Sequence, residues 1–264
     1  MKIDLSGKTA LVTGSTAGIG YAIAKGLAAA GADTTLNGRS QGAVDVAVKK
    51  LAAEAPGAKV RGIAADVSTA DGCKALVAAV PDTDILINNT GIYGAKDFFE
   101  ISDEDWTRIF ETNVLSGVRL SRAYMKGMLK RDWGRIVFIS SESALNIPTE
   151  MIHYGTTKTA QLSISRGLAL LTRGTKVTVN SVLPGPTMSE GVETFVEDLA
   201  RKNGEPVEEA AANFVKQNRP TSLLQRFASV EEVGNMVVYV ASKEASATNG
   251  AALRVDGGIV NFIA

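Results

Sequence analysis

"KTALVTGSTAGIGYAIAKGLAAAGADTTLNGRS", Lys8 to Ser40, carries the pattern that decides the fold. It opens with a β-rich run, "KTALVT", and turns through glycines at positions 14, 18 and 20. An Ala-rich helical stretch follows, and the chain returns as a second β-rich run, "DTTLN". Strand, glycine turn, helix, strand is the repeating unit of a parallel sheet with helical crossovers. The alternation continues through "KVRGIAA", "DILINN", "GRIVFIS", "KVTVNSVL" and "AALRVDGG", which bring the strand candidates to seven. Between them lie segments such as "DEDWTRIFETNVLSGVRLSRAYMKGMLK" and "VEEVGNMVVYVAS", whose apolar residues recur at helical spacing. Several strands are apolar on both alternating faces, as when helices cover both sides of a sheet. The pattern predicts one α/β domain over residues 1–264, a doubly wound parallel seven-stranded sheet with helices on both faces.

With 264 residues, 45% of them hydrophobic, the chain can bury a full core in one domain. Its 28 Lys+Arg balance 28 Asp+Glu, which leaves no basic footprint for nucleic acid or an anionic membrane. No run approaches the roughly 18 apolar residues of a membrane span, and the N-terminus enters a strand without a signal core. A soluble cytoplasmic protein acting on a small molecule is expected. The lone Cys73 has no disulfide partner and reads as helix packing rather than as a reactive thiol. With one Cys and one His, a metal site would need carboxylates alone, and no cluster suggests one. Residues 187–220 are rich in Glu and Ala, show no strand signal, and predict a helical flap beside the site. Its Met188, Val192, Phe195, Leu199 and Phe214 suit a lid over an apolar substrate or a helix pair packed on the domain.

Gly14, Gly18 and Gly20 let the backbone approach a pyrophosphate, and the following helix N-terminus offers free N–H groups and a favourable dipole. The spacing departs from G-x-G-x-x-G, so a simple tight turn is the alternative. The second strand ends at "LNGRS", where dinucleotide-binding (Rossmann) units often place an acidic residue for the ribose hydroxyl. Gly38 removes the carboxylate that would repel a phosphate, and Arg39 supplies a guanidinium suited to gripping one. NADP(H) is therefore favoured, with NAD(H) the second choice; a solvated loop arginine is the alternative.

The order of "TGSTAGIG", "DILINNTG", "ETNVLSG", "GRIVFISSES", "YGTTK", "VTVNSVLPG" and "ALRVDGG" resembles the short-chain dehydrogenase/reductase family over nearly the whole chain. It is similar in particular to the 3-oxoacyl-ACP-reductase type of oxidoreductase. The family places a serine thirteen residues before its tyrosine and a lysine four after it, intervals met by Ser141, Tyr154 and Lys158. Tyr154 and Lys158 project from one helix face, and His153, adjacent in sequence, is turned away from them. A free tyrosine is a poor acid or base at neutral pH; a neighbouring ammonium and an oxidised nicotinamide favour its phenolate. The resemblance implies that Ser141 hydrogen-bonds a substrate carbonyl, Tyr154 exchanges the proton, Lys158 also holds the nicotinamide ribose, and Asn113 orders a relay water. It assigns further cofactor contacts to Ser15, Thr16 and Ile19 in the turn, and to Asp66 and Val67 beside the adenine. Asn89 and Gly91 fall along the ribose, and Pro184, Gly185, Thr187 and Ser189 against the carboxamide. Asp66 could instead cap a helix.

The implied activity is interconversion of a ketone and a secondary alcohol by hydride transfer. A nucleotide-binding regulator with little turnover and a redox-neutral epimerase or lyase are the competitors. Family members commonly assemble through two long helices, here about Asp103–Lys130 and Tyr154–Thr172, which implies a homotetramer or dimer. Three positions depart from the family pattern. Thr90 stands where alanine is common and needs a partner for its hydroxyl if buried. Glu142 follows the serine directly, either to contact a substrate hydroxyl or amine, or to be solvated or paired within the wall. His153 is a pocket-wall, interface or satisfied polar residue before it is a catalyst.

Overall fold

All seven strand candidates form, and all run parallel in one sheet. The computed structural model describes residues 2–263. Its strands are β1 (Thr9–Val12), β2 (Asp33–Gly38), β3 (Val60–Ala64), β4 (Ile85–Asn88), β5 (Gly134–Ile139), β6 (Val177–Pro184), β7 (Thr187–Met188), β8 (Ala228–Ser229) and β9 (Ala252–Val255). The sheet order is β3-β2-β1-β4-β5-β6-β9, while β7 and β8 pair separately. The helices are α1 (Gly18–Ala29), α2 (Gln41–Glu54), α3 (Ala70–Ala79), α4 (Asp103–Phe110), α5 (Ser116–Lys130), α6 (Ile152–Leu170), α7 (Glu190–Asn203), α8 (Val207–Asn218) and α9 (Val230–Val240).

Alternation along the strands divides the core. Val12, Ile87, Val137 and Val182 face one layer with Ile23, Leu27 and Val237, whereas Leu11, Leu86, Ile136 and Val179 face the other with Leu76, Leu120 and Met128. Both faces are therefore covered, and the two-sided apolar pattern follows from that. Cys73 lies in the second layer, its thiol donating to the Val67 carbonyl at 3.2 Å, and burial raises its pKa. The chain leaves β1 toward β2 and β3, then crosses back to β4 on β1's other side. That reversal opens a crevice at the C-terminal ends of β1 and β4, where doubly wound sheets bind ligands.

Two local features differ from expectation. The stretch predicted as one helix over Asp103–Lys130 is interrupted by a π-helical turn, Glu111–Leu115. No Gly or Pro marks it before Gly117, and its cause lies in the tertiary contacts of Asn113 described below. The flap forms two helices, α7 and α8, but also contributes the two-residue β7, too short to leave a period in the sequence. Among the described residues no helix is long and apolar enough to cross a membrane.

Candidate active site

β5 ends at Ile139 and delivers Ser140 and Ser141 to the C-terminal edge of the sheet. Ser140 Oγ donates to the Lys158 carbonyl at 2.9 Å, stitching the strand end to α6. Ser141 is buried, and its Oγ accepts from the Ser143 N–H at 3.1 Å and donates to the Glu142 carboxylate. One turn of α6 separates Tyr154 from Lys158, whose Nζ lies 5.5 Å from the Tyr154 ring centroid. That Nζ donates to the Ile139 carbonyl at 2.9 Å. The structure thus gathers Ser141, Tyr154 and Lys158 at one edge. His153 packs elsewhere, edge-on to Trp106 at 6.1 Å, with burial lowering its pKa.

Burial lowers the Lys158 ammonium to about 8. Tyr154 goes the other way: burial raises its hydroxyl well above the usual range, its hydrogen bond with Ser141 pulls down, and Glu142 and Tyr93 push up. Lys158 spends its protons on Ile139 and, at 3.4 Å, on Gln161, and desolvation of Tyr154 dominates. Raised in this way, the Tyr154 hydroxyl keeps its proton at neutral pH, as a free tyrosine does.

Asn113 is almost fully buried in the π-helical turn. Its Oδ1 accepts from the Ile92 N–H at 2.7 Å, and its Nδ2 donates to the Ile92 carbonyl at 2.9 Å and to Thr157 Oγ1 at 3.0 Å. The widened turn exposes the Asn113 carbonyl, which accepts from Gln161 Nε2 at 2.6 Å. Turns of this kind recur at functional sites because they redirect a carbonyl out of the helical ladder. Gln161 thereby joins Asn113 to Lys158, whose Nζ donates to its Oε1 at 3.4 Å. Gln161, a polar residue one turn beyond Lys158 on the same inward face, is the signal sequence reasoning passed over.

The nucleotide half is built around the glycine turn. Gly14 and Gly18 have φ of +59° and +57°, and a Cβ on Gly20 would stand 2.3 Å from the Gly14 carbonyl oxygen. Asn89 braces the turn, its Nδ2 donating to the carbonyls of Thr13 and Gly14, each at 2.9 Å. The Gly18 N–H, at the start of α1, already holds an anionic oxygen: Glu190 Oε2 accepts from it at 2.9 Å. A turn that coordinates a carboxylate this way fits a phosphate. Thr16 and Ile19 are half-buried along it, and Gly91 lies exposed beside Asn113 and Lys158. At the end of β2, Arg39 is exposed and pairs with no carboxylate among the described residues. A Cβ on Gly38 would sit 2.6 Å from Thr16 Cγ2, so an acidic side chain there has no room.

Several of the residues expected to contact the cofactor also hold the fold together through their side chains. Ser15 is wholly buried, its Oγ donating to the Val12 carbonyl and accepting from the Asn37 N–H, so its side chain shapes the turn from behind. Val67 is buried in the second core layer. Asp66 is exposed and accepts from Ser68 N–H and Oγ, while Thr69 caps α3, which removes the helix-cap alternative for Asp66. Pro184 and Gly185 close β6 against β9, the Gly185 N–H donating to Val255 at 3.0 Å. The Thr187 hydroxyl is spent on the Gly185 carbonyl, whereas Ser189 lies against Gly18. Thr90 Oγ1 is buried beside Gly14 without a partner among the described residues.

The flap enters the site through a residue that sequence reasoning missed. Arg219, just after α8, donates from Nε to Glu142 Oε1 at 2.9 Å. Glu142 is thus paired within the wall and not solvated, with its other oxygen toward Ser141 and Ser143. No local signal joins residues 77 positions apart.

Comparison with known proteins gives this arrangement its class, an oxidoreductase. The family model described as short chain dehydrogenase matches residues 8–200, and the chain belongs to that family. It is 49% identical to "Uncharacterized oxidoreductase YvaG" of Bacillus subtilis over 263 residues, covering all of both chains. It is 35% identical to D-beta-hydroxybutyrate dehydrogenase of Cupriavidus necator, over 97% of this chain and 99% of that one. Among solved structures, L-sorbose reductase from Gluconobacter frateurii, complexed with NADPH and L-sorbose, superposes with a TM-score of 0.93 at 32% identity, covering all of both chains.

Proposed function

We propose that this chain is an NADP(H)-preferring oxidoreductase that interconverts a ketone and a secondary alcohol through Ser141, Tyr154 and Lys158. The observation that carries the proposal is the edge itself: a half-buried phenol beside a buried serine hydroxyl, with a buried lysine one helical turn behind. When bound, NADP(H) supplies or accepts the hydride at the carbinol carbon. Tyr154 gives its proton to the carbonyl oxygen in reduction and takes it back in oxidation. Ser141 hydrogen-bonds the same oxygen as negative charge gathers there. Lys158 places positive charge beside the phenol as its proton leaves, offsetting the cost of the phenolate. Asn113 and Gln161 fix the loop and the ammonium that this step needs.

Gly14, Gly18 and Gly20 would hold the pyrophosphate, Asn89 and Gly91 would flank the ribose, and Arg39 would grip a 2′-phosphate. The preference for NADP(H) is supported by the unpaired Arg39, by the steric exclusion of an acidic side chain at position 38, and by the NADPH bound to L-sorbose reductase. The substrates in the relatives' names, a ketose and a β-hydroxy acid, support a small oxygenated substrate. The flap over 187–220 closes that pocket, and exposed Phe110, Leu170 and Leu171 on the long helices support assembly into a homo-oligomer, which sedimentation would measure. Nicotinamide absorbance tests the central proposal, with NADPH and NADH against a panel of ketones and 3-oxo esters and Tyr154→Phe as control. NADPH consumption abolished in the variant supports it; saturable NADPH binding with no carbonyl reduced across the panel overturns it.

A further inference from the structure

We infer that Glu142, positioned by Arg219, reads a hydroxyl on the carbon next to the reacting carbonyl, so that the favoured substrate is an α-hydroxy ketone and its product a vicinal diol. The inference rests on the carbonyl reduction proposed for Ser141 and Tyr154. Glu142 is a carboxylate only 4% exposed, in the wall where an alkoxide would develop. Negative charge there opposes the chemistry, as its upward push on Tyr154 illustrates, so its presence calls for a use.

Its hydrogen bonds indicate that use. Oε1 takes the Arg219 Nε–H at 2.9 Å. Oε2 takes the Ser143 N–H at 2.7 Å, the Ser143 hydroxyl at 3.0 Å and the Ser141 hydroxyl. Ser141 has one proton to give, and in this arrangement Glu142 holds it. To donate to a carbonyl oxygen, Ser141 must turn that proton away, and Glu142 Oε2 keeps only the two Ser143 donors and loses one charge-assisted hydrogen bond. A plain ketone offers nothing in exchange.

A hydroxyl on the adjacent carbon does. Its oxygen lies about one hydrogen-bond length from the carbonyl oxygen, so both can face the adjacent Ser141 and Glu142 side chains at once. One molecule can then accept the Ser141 proton at its carbonyl and return its own hydroxyl proton to Glu142, with no hydrogen bond lost. Arg219, mostly buried at the end of α8, balances the carboxylate's charge and aims it, so the reader is assembled from the sheet edge and the flap together. Arg219 is thus a positioning residue.

The test compares 1-hydroxy-2-butanone with 2-butanone as substrates, each with NADPH, in the wild-type protein, Glu142→Gln and Arg219→Gln. The wild type is expected to favour the hydroxy ketone by at least about tenfold in kcat/KM, Glu142→Gln to lose most of that ratio, and Arg219→Gln to lose part of it. NADPH fluorescence shows whether each variant is folded, and if neither is, the wild-type ratio decides alone. Equal kcat/KM for the two ketones, or a ratio unchanged in folded Glu142→Gln, overturns the hydroxyl reader while leaving the reductase standing. Reduction of neither ketone also overturns the reader; the reductase proposal falls only if the wider ketone and 3-oxo ester panel fails as well.

Discussion

The wall carrying Ser141, Tyr154 and Lys158 and the flap that faces it are held by different means. Every residue of β5 and β6 behind the wall is buried, and Ser140, Asn113, Thr157, Lys158 and Gln161 are tied by hydrogen bonds that cross from strand to helix to loop. The flap has a small core, Val196, Ala200, Ala210 and Val215, closed by Phe227 from the segment that follows it, with Phe195 about half exposed on its surface. It reaches the site through two carboxylate contacts, Glu190 on the Gly18 N–H and Arg219 on Glu142. Fixed geometry suits a proton transfer that tolerates little displacement; a separately cored element suits binding and release. Changes in the wall should therefore strike kcat, and changes in the flap or the nucleotide end should move binding.

The hardest blow to that contrast is Tyr154→Phe. Removing the proton donor is expected to lower kcat by about 10²–10⁴-fold with NADPH affinity nearly unchanged, measured by steady-state kinetics and fluorescence titration. A large loss of NADPH affinity would mean that the wall also governs binding. Next in size is Arg39→Ala, expected to weaken NADPH binding about 10–100-fold and NADH binding little, because one guanidinium can grip a phosphate with two charge-assisted bonds. Equal losses would return Arg39 to a solvated loop.

A smaller effect is expected from pH. Lys158 is a base whose pKa burial lowers to about 8, so it is charged below that value and neutral above it. Its charge steadies the phenolate, and kcat for reduction should fall about tenfold as pH rises from 7 to 9. A profile flat across that range would remove the ammonium from the chemical step. The smallest change is Glu190→Gln. The carboxylate must leave the Gly18 N–H for a phosphate to take it, and the neutral amide should let NADPH bind about two- to fivefold tighter by fluorescence titration. Weaker binding would instead make Glu190 part of the cofactor site.

Much of the fold was legible because its signals are local. Two-residue alternation and helical spacing are set by backbone geometry within a few positions, so the strands from "KTALVT" to "AALRVDGG" could be found without knowing what they pack against. The four-residue step from Tyr154 to Lys158 likewise fixes a shared helix face, and the neighbouring His153 necessarily points elsewhere, here to Trp106. The cofactor side was less legible. Ser15 and Val67 are both expected contacts, but the side chain of one faces the back of the turn and that of the other the core, which no local pattern shows.

By itself, the sequence determined a doubly wound sheet, a glycine turn at its first crossover, and a serine, tyrosine and lysine at intervals that allow them to meet. Only the tertiary structure decided that Asn113 sits in a π-helical turn and reaches Lys158 through Gln161, that Glu190 rests on a glycine 172 positions away, and that Arg219 holds Glu142. The physical reason is range. Periodicity and capping are written into neighbouring residues, whereas a buried charge finds its partner only after chain segments distant in sequence have packed.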